Sequence, residues 1–129
     1  MEIILDTNFI IECVKNKIDL FESLKELFGV YTLIVPIQLY SELEKISNDR
    51  KITLREREYA LVSIELLKKY KTKSIDIKTP DVDSGIFTYI KKNSQIVTAT
   101  LDKNLKKKIS SNKNAKFLLI KQKKYLVLE

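Results

Sequence analysis

The feature that most constrains the fold is a repeated unit: a short apolar run that breaks at once into capping residues and then into an amphipathic stretch. Glu2-Ile3-Ile4-Leu5 gives way to Asp6-Thr7-Asn8, after which Ile10, Ile11 and Val14 recur at helical spacing. Tyr31 to Val35 gives way to Pro36, a residue suited to a helix's first turn, and then to the inward stripe Leu39, Leu43 and Ile46. Gln95 to Thr100 reads as a strand and Asp102 to Ser110 as the helix that follows it. Strands alternating with helices imply right-handed crossovers and a mostly parallel sheet covered on both faces. The expected fold is therefore α/β, a three-layer arrangement in one domain over residues 1–129, closed by a C-terminal hairpin.

The remaining segments fit that frame. Leu20, Leu24, Leu27 and Phe28 form an amphipathic stretch that Gly29 can close in a left-handed conformation. Thr53 and Glu56 have capping-box spacing, so a long helix is expected to about Tyr70, with Tyr59, Val62, Leu66 and Leu67 on its buried side. Ser74 to Ile77 reads as a short strand, Lys78 to Asp81 as a loop and Ile86 to Lys92 as a helix. Phe117 to Ile120 and Tyr125 to Leu128 pair as the terminal hairpin. No repeat or linker interrupts the series.

Composition narrows the chemistry. The chain has no histidine and a single cysteine, Cys13. Intramolecular disulfides, paired-thiolate zinc sites, Ser-His-Asp and Cys-His catalysis and histidine-ligated haem are thereby excluded. Carboxylates, hydroxyls, lysines or a metal bound through oxygen remain. The N-terminus lacks the basic and long apolar regions of a secretory signal, and no apolar run approaches the roughly 20 residues that cross a bilayer. A cytoplasmic protein with no membrane partner is the expectation. The formal charge of +7 is concentrated: Lys103 to Glu129 carries nine lysines and one acid, while the rest of the chain sums to −1. Such an end suits a polyanion, although lysine supplies 21 of the 24 basic residues and a solvated face has the same composition.

Four acids stand at comparable places in the repeated unit. Asp6 and Asp102 each follow a strand, and so lie on one edge of the sheet. Glu42 sits almost two turns into the helix after Tyr31 to Val35, and Asp83 begins the helix entered from Thr79-Pro80. Four carboxylates gathered from four junctions would repel one another without a cation, and hard divalent ions prefer such oxygens. Mg²⁺ or Mn²⁺ is expected there. Asp6, Asp83 and Asp102 serve equally well as helix N-caps, worth about 1 kcal/mol each. Glu42 has less reason of that kind, because Leu39 and Leu43 beside it belong to the buried stripe.

Together, LDTNFII (Leu5 to Ile11), VPIQLYSELEKI (Val35 to Ile46), PDVDSGIFTYI (Pro80 to Ile90) and VTATLDKNLKKKI (Val97 to Ile109) resemble the PIN-domain metal-dependent ribonucleases over nearly the whole chain. Their flanking stretches, Lys15 to Leu20, Glu42 to Lys45 and Leu105 to Ile109, look most like the branch that processes small-subunit ribosomal RNA precursors. The resemblance implies a PIN-like fold and an endoribonuclease leaving a 5′-phosphate and a 3′-hydroxyl. Its metal-ligand and catalytic positions are Asp6, Glu42, Asp83 and Asp102, with Asn8 and Thr100 as polar support. Lys103, Lys106, Lys107 and Lys108 are expected to hold RNA phosphates. The implied partner is RNA, with a ribosomal RNA precursor as the candidate substrate and ribosome-assembly proteins and a homodimer left open. The chain departs from the family pattern at Asn104, where many relatives carry a further acid, so a second metal is expected to bind weakly. Asp83 is preferred to Asp81 because it directly precedes the apolar helix; Asp81 is read as a supporting acid or a loop cap. Two rivals stay open: a toxin ribonuclease of a toxin-antitoxin pair, and a non-catalytic RNA-binding ribosome-assembly module. A receiver domain is disfavoured, since the paired acids it needs after the first strand are absent.

Overall fold

A computed structural model describes residues 1–93, 95–112 and 114–129; Lys113 of the basic tail lies outside the described residues. Its elements are β1 (Glu2–Leu5), α1 (Thr7–Lys15), α2 (Leu20–Phe28), β2 (Thr32–Pro36), α3 (Ile37–Asn48), α4 (Leu54–Lys69), β3 (Lys73–Ile75), α5 (Val82–Lys92), β4 (Val97–Ala99), α6 (Lys103–Ile109), β5 (Lys116–Lys121) and β6 (Tyr125–Leu128). They build one six-stranded sheet in the order β3-β2-β1-β4-β5-β6, parallel except for the antiparallel β5–β6 pair. The mostly parallel α/β architecture and the terminal hairpin follow the expectation.

The uninterrupted apolar runs are explained by burial on both faces. Ile3, Leu5, Leu33, Val35, Val97 and Ala99 point into a core shared with Phe9, Leu24, Leu39, Leu43 and Leu67 of α1 to α4. Ile4 and Ile34, one residue out of phase, point into a second core with Val82, Ile86 and Ile90 of α5 and Leu105 and Ile109 of α6. The result is three layers, with four helices on one side and two on the other. Cys13 lies in the first core, where burial, assisted by Glu12, pushes its thiol up to about 12, leaving it inert.

Several boundaries differ from the sequence reading. α5 begins at Val82 rather than Ile86, because the poor helix formers Ser84 and Gly85 hide its first turn, which follows directly on Asp81. On α4 the buried residues are Ala60, Ser63, Ile64 and Leu67; Val62 is 41% exposed and Tyr59 only half-buried. The rotation follows from close packing on α3 and α1, which the small Ala60 and Ser63 permit. The buried Ser63 hydroxyl donates to the Tyr59 carbonyl at 2.8 Å, so it needs no other partner. β3 starts one residue earlier than read and stops at Ile75, before Asp76 turns the chain by accepting from the Lys78 amide at 2.8 Å. β4 is shorter than the segment from Gln95 to Thr100. In the hairpin, Gln122 and Lys123 both adopt positive φ, 54° and 55°, the condition for a turn whose twist matches the strands.

Candidate metal centre

The chain winds outward from β1 through β2 to β3, then returns to the other side of β1 for β4 and β5. The carboxyl ends of β1 and β4 therefore border the crevice at which sheets of this kind bind ligands. Asp6 and Asp102 stand on its two sides. Asp6 caps α1, its Oδ1 accepting from the Thr7 amide at 2.8 Å. Its Oδ2 accepts from the Thr100 hydroxyl at 2.6 Å, and both residues are buried. The same Thr100 oxygen accepts from the Asp102 amide at 3.1 Å. Asp102 in turn caps α6, accepting from the Asn104 and Leu105 amides at 2.8 and 3.1 Å. Capping and gathering acids into the crevice are thus accomplished by the same side chains.

The third acid arrives on α5. Asp83, half-buried in that helix's first turn, is close enough to Asp6 and Asp102 for the three carboxyls to influence one another's protons. Burial, then the proton shared with Asp102, then the charges of Asp6, Asp102 and Asp81 push its carboxyl up to about 7. Burial also raises Asp6, against the opposing effect of its bonds from Thr100 and Thr7. Asp102 is held low, first by the hydrogen bond from Asp83 and then by the Leu105 amide, with Lys108 contributing charge. Like charges that crowd together favour a proton on one of them, and Asp83 is the acid whose carboxyl is raised furthest.

Two contacts fix where α5 starts. Gln38 of α3 donates to Asp76 Oδ1 at 2.6 Å and accepts from the Ile77 amide at 3.3 Å. One turn beyond Asp81, Gly85 packs so closely on Ile77 that a Cβ there would lie 2.7 Å from both Cβ and Cγ1 of Ile77. Nothing periodic in the sequence marks Gln38, whereas a glycine inside an apolar helix was a signal available at Gly85.

Of the other expected site residues, Asp81 caps its loop, accepting from the Ser84 hydroxyl at 2.6 Å. Asn8 is exposed in the first turn of α1. Glu42 is half-buried in the second turn of α3, on the helix that follows β2, and no described hydrogen bond joins it to the other three acids. Lys103, Lys107 and Lys108 are exposed and Lys106 half-buried on α6.

The family model described as a PIN like domain matches residues 3–123. The chain belongs to the PIN-like domain family. Ribonuclease VapC4 of Methanocaldococcus jannaschii is 30% identical over 125 residues, 96% of this chain and 93% of the relative. Among solved structures, the PIN domain endonuclease Utp24 is similar with a TM-score of 0.80 and 25% identity, covering 99% of this chain and 90% of that one. VapBC2 from Rickettsia felis, bound to a DNA fragment from its promoter, matches with a TM-score of 0.50 and 13% identity over 83% of this chain and 92% of that one. The last likeness bears on fold alone.

In this PIN-like domain the donor set of the crevice is all oxygen and short of positive charge, which fits a hard divalent cation in place of the Asp83 proton. As the side chains stand, no group of three or more acids among the described residues is drawn tightly enough to enclose an ion. Asp6, Asp83 and Asp102 are nevertheless near enough for the charges of Asp6 and Asp102 to raise the Asp83 carboxyl. Concavities of about 430 and 450 Å³ open around Tyr31 and Tyr70, at the opposite, amino-terminal ends of the strands. Neither concavity is lined by those three acids, and an edge of acids above open surface suits a polymer laid across it.

Proposed function

We propose that this PIN-like domain is a metal-dependent endoribonuclease hydrolysing RNA phosphodiester bonds, in the processing of a ribosomal RNA precursor. The observation that carries the reading is the pair Asp6 and Asp102 joined through Thr100 at the β1/β4 crevice, with Asp83 of α5 electrostatically coupled to both. Its relatives, Ribonuclease VapC4 and the endonuclease Utp24, support phosphodiester hydrolysis. The precursor-processing role rests on the flanking stretches Lys15 to Leu20 and Leu105 to Ile109. A toxin-type ribonuclease would use the same acids and differ in substrate.

Asp6, Asp83 and Asp102 are the residues that would hold Mg²⁺ or Mn²⁺, with Glu42 of α3 as a fourth candidate ligand. Bound there, the cation supplies Lewis acidity, lowering the pKa of the attacking water and offsetting charge on the phosphoryl oxygens. The protein's own contributions are positional. Thr100 fixes one Asp6 oxygen and the start of the Asp102 turn with a single hydroxyl. Lys103, Lys106 and Lys107 on α6 hold flanking phosphates, and a homodimer or assembly proteins are further partners of this reading.

The test is cleavage of end-labelled RNA by the purified protein in Mn²⁺, in Mg²⁺ and in EDTA, beside Asp102→Asn. Asparagine caps a helix as well as aspartate, so the fold should persist while cleavage falls by orders of magnitude. Equal cutting by wild type and variant, or cutting in EDTA, would sink the metal role. No cleavage of any RNA by the wild type would favour the non-catalytic binding module.

A further inference from the structure

Asp83, Phe87 and Lys91 stand four residues apart on α5 and so share one face of the helix, leading away from the acids toward the α5–α6 groove. Phe87 is half-buried, and two ammonium groups gather at its ring: Lys91 Nζ 4.6 Å and Lys108 Nζ 6.0 Å from the centroid. Beside it the groove holds a small cavity of about 50 Å³, lined also by Ile90, Ile109 and Asn112. Ile86, Ile90 and Ile109 are buried in the second core, and Phe87 packs against its edge while the rest of its ring stays open to solvent beneath the two ammonium groups.

We propose that Phe87, Lys91 and Lys108 form a nucleotide subsite, with Phe87 stacking a base of single-stranded RNA next to the cleaved bond and the two lysines neutralising its phosphates. The proposal rests on the ribonuclease reading and extends it to the path of the substrate. Stacking of a base on an aromatic face is the stronger contact, and an exposed ammonium over the same face is readily displaced onto a phosphate oxygen. One helical turn separates the ring from Asp83, so a base seated there leaves the adjoining phosphate at the acids. Every base has a π face, so the subsite tolerates any sequence.

The chain contains no tryptophan, which makes Phe87→Trp a direct optical probe. Its fluorescence is titrated with a single-stranded oligouridine in EDTA, where metal-dependent cutting cannot occur, and with the same oligonucleotide carrying abasic positions. Saturable quenching by the intact RNA, absent with the abasic one, is expected. Affinity should fall about tenfold in Phe87→Leu, which keeps an apolar side chain at the edge of the core, while its circular dichroism remains that of the folded protein. Lys91→Gln with Lys108→Gln should lower the salt dependence of binding. Wild-type affinity in Phe87→Leu, binding without quenching, or no binding overturns the subsite. Metal-dependent cleavage that persists alongside such a result leaves the nuclease reading intact; stacking without any cleavage leaves the subsite and removes the nuclease.

Discussion

Thr100 donates its hydroxyl to Asp6 across 2.6 Å, joining the ends of β1 and β4 although 94 residues separate the two in sequence. The bond lies in the buried floor of the crevice, where a carboxylate oxygen without a partner is costly. Thr100→Val keeps the shape and removes the donor, and with it the acceptor for the Asp102 amide. The expected loss is about 1–3 kcal/mol of stability, measured by urea denaturation, together with reduced metal-dependent cleavage. Thr100→Ser should restore most of both.

Asp83 makes the stability of the metal-free protein fall as pH rises. Its carboxyl is raised from the unfolded value of 3.8 to about 7, so between those limits the folded chain binds more protons than the unfolded one. Burial raises Asp6 in the same direction. Asp102, held low, acts oppositely: its contribution is lost only as pH falls below the usual carboxylate range. Melting temperatures in EDTA should therefore decline from pH 5 to pH 8 in wild type and much less in Asp83→Asn.

Metal binding should follow the same proton. If a cation replaces the Asp83 proton, Mn²⁺ affinity should strengthen as pH rises toward and past about 7, and binding should release protons. Calorimetry in two buffers of different ionisation enthalpy measures that release. A pH-independent affinity would place the ion away from Asp83.

Gly85→Ala should disturb Asp83 from a distance. The added methyl meets Ile77 at 2.7 Å from its Cβ, an overpacking worth about 1–3 kcal/mol, and α5 must shift to relieve it. Ile77→Ala in the same chain removes the outer part of the clash and should recover part of the stability and of the cleavage rate. Double-mutant denaturation and single-turnover cleavage separate the two effects.

The lysines of α6 give a salt-dependent prediction. Changing Lys103, Lys106, Lys107 and Lys108 to Gln should weaken binding of all RNA sequences alike. The slope of log affinity against log salt should shrink by about 0.7 for each phosphate that is no longer neutralised. An unchanged slope would identify them as a solvated face.

The sequence by itself determined what local patterning can encode. Runs buried on both faces, such as Ile3-Ile4-Leu5, marked strands of a covered sheet, and Asp6 and Asp102 following such runs were legible as acids on one edge. The Thr53–Glu56 spacing located the start of α4, where the Thr53 hydroxyl accepts from the Glu56 amide at 3.2 Å. What the tertiary structure decided were rotations, close approaches and proton sharing. The buried face of α4 depends on how nearly Ala60 and Ser63 let it approach α3, a quantity with no period in the chain. The start of α5 depends on Gln38 and on the fit of Gly85 against Ile77, contacts that span distant segments. Asp81 and Asp83 are chemically identical and two residues apart, and only the packing of α5 turns one toward Ser84 and the other toward Asp6 and Asp102. Local propensity acts over a few residues, whereas a carboxyl's proton is set by every charge and every water excluded within several ångströms, which only the folded chain brings together.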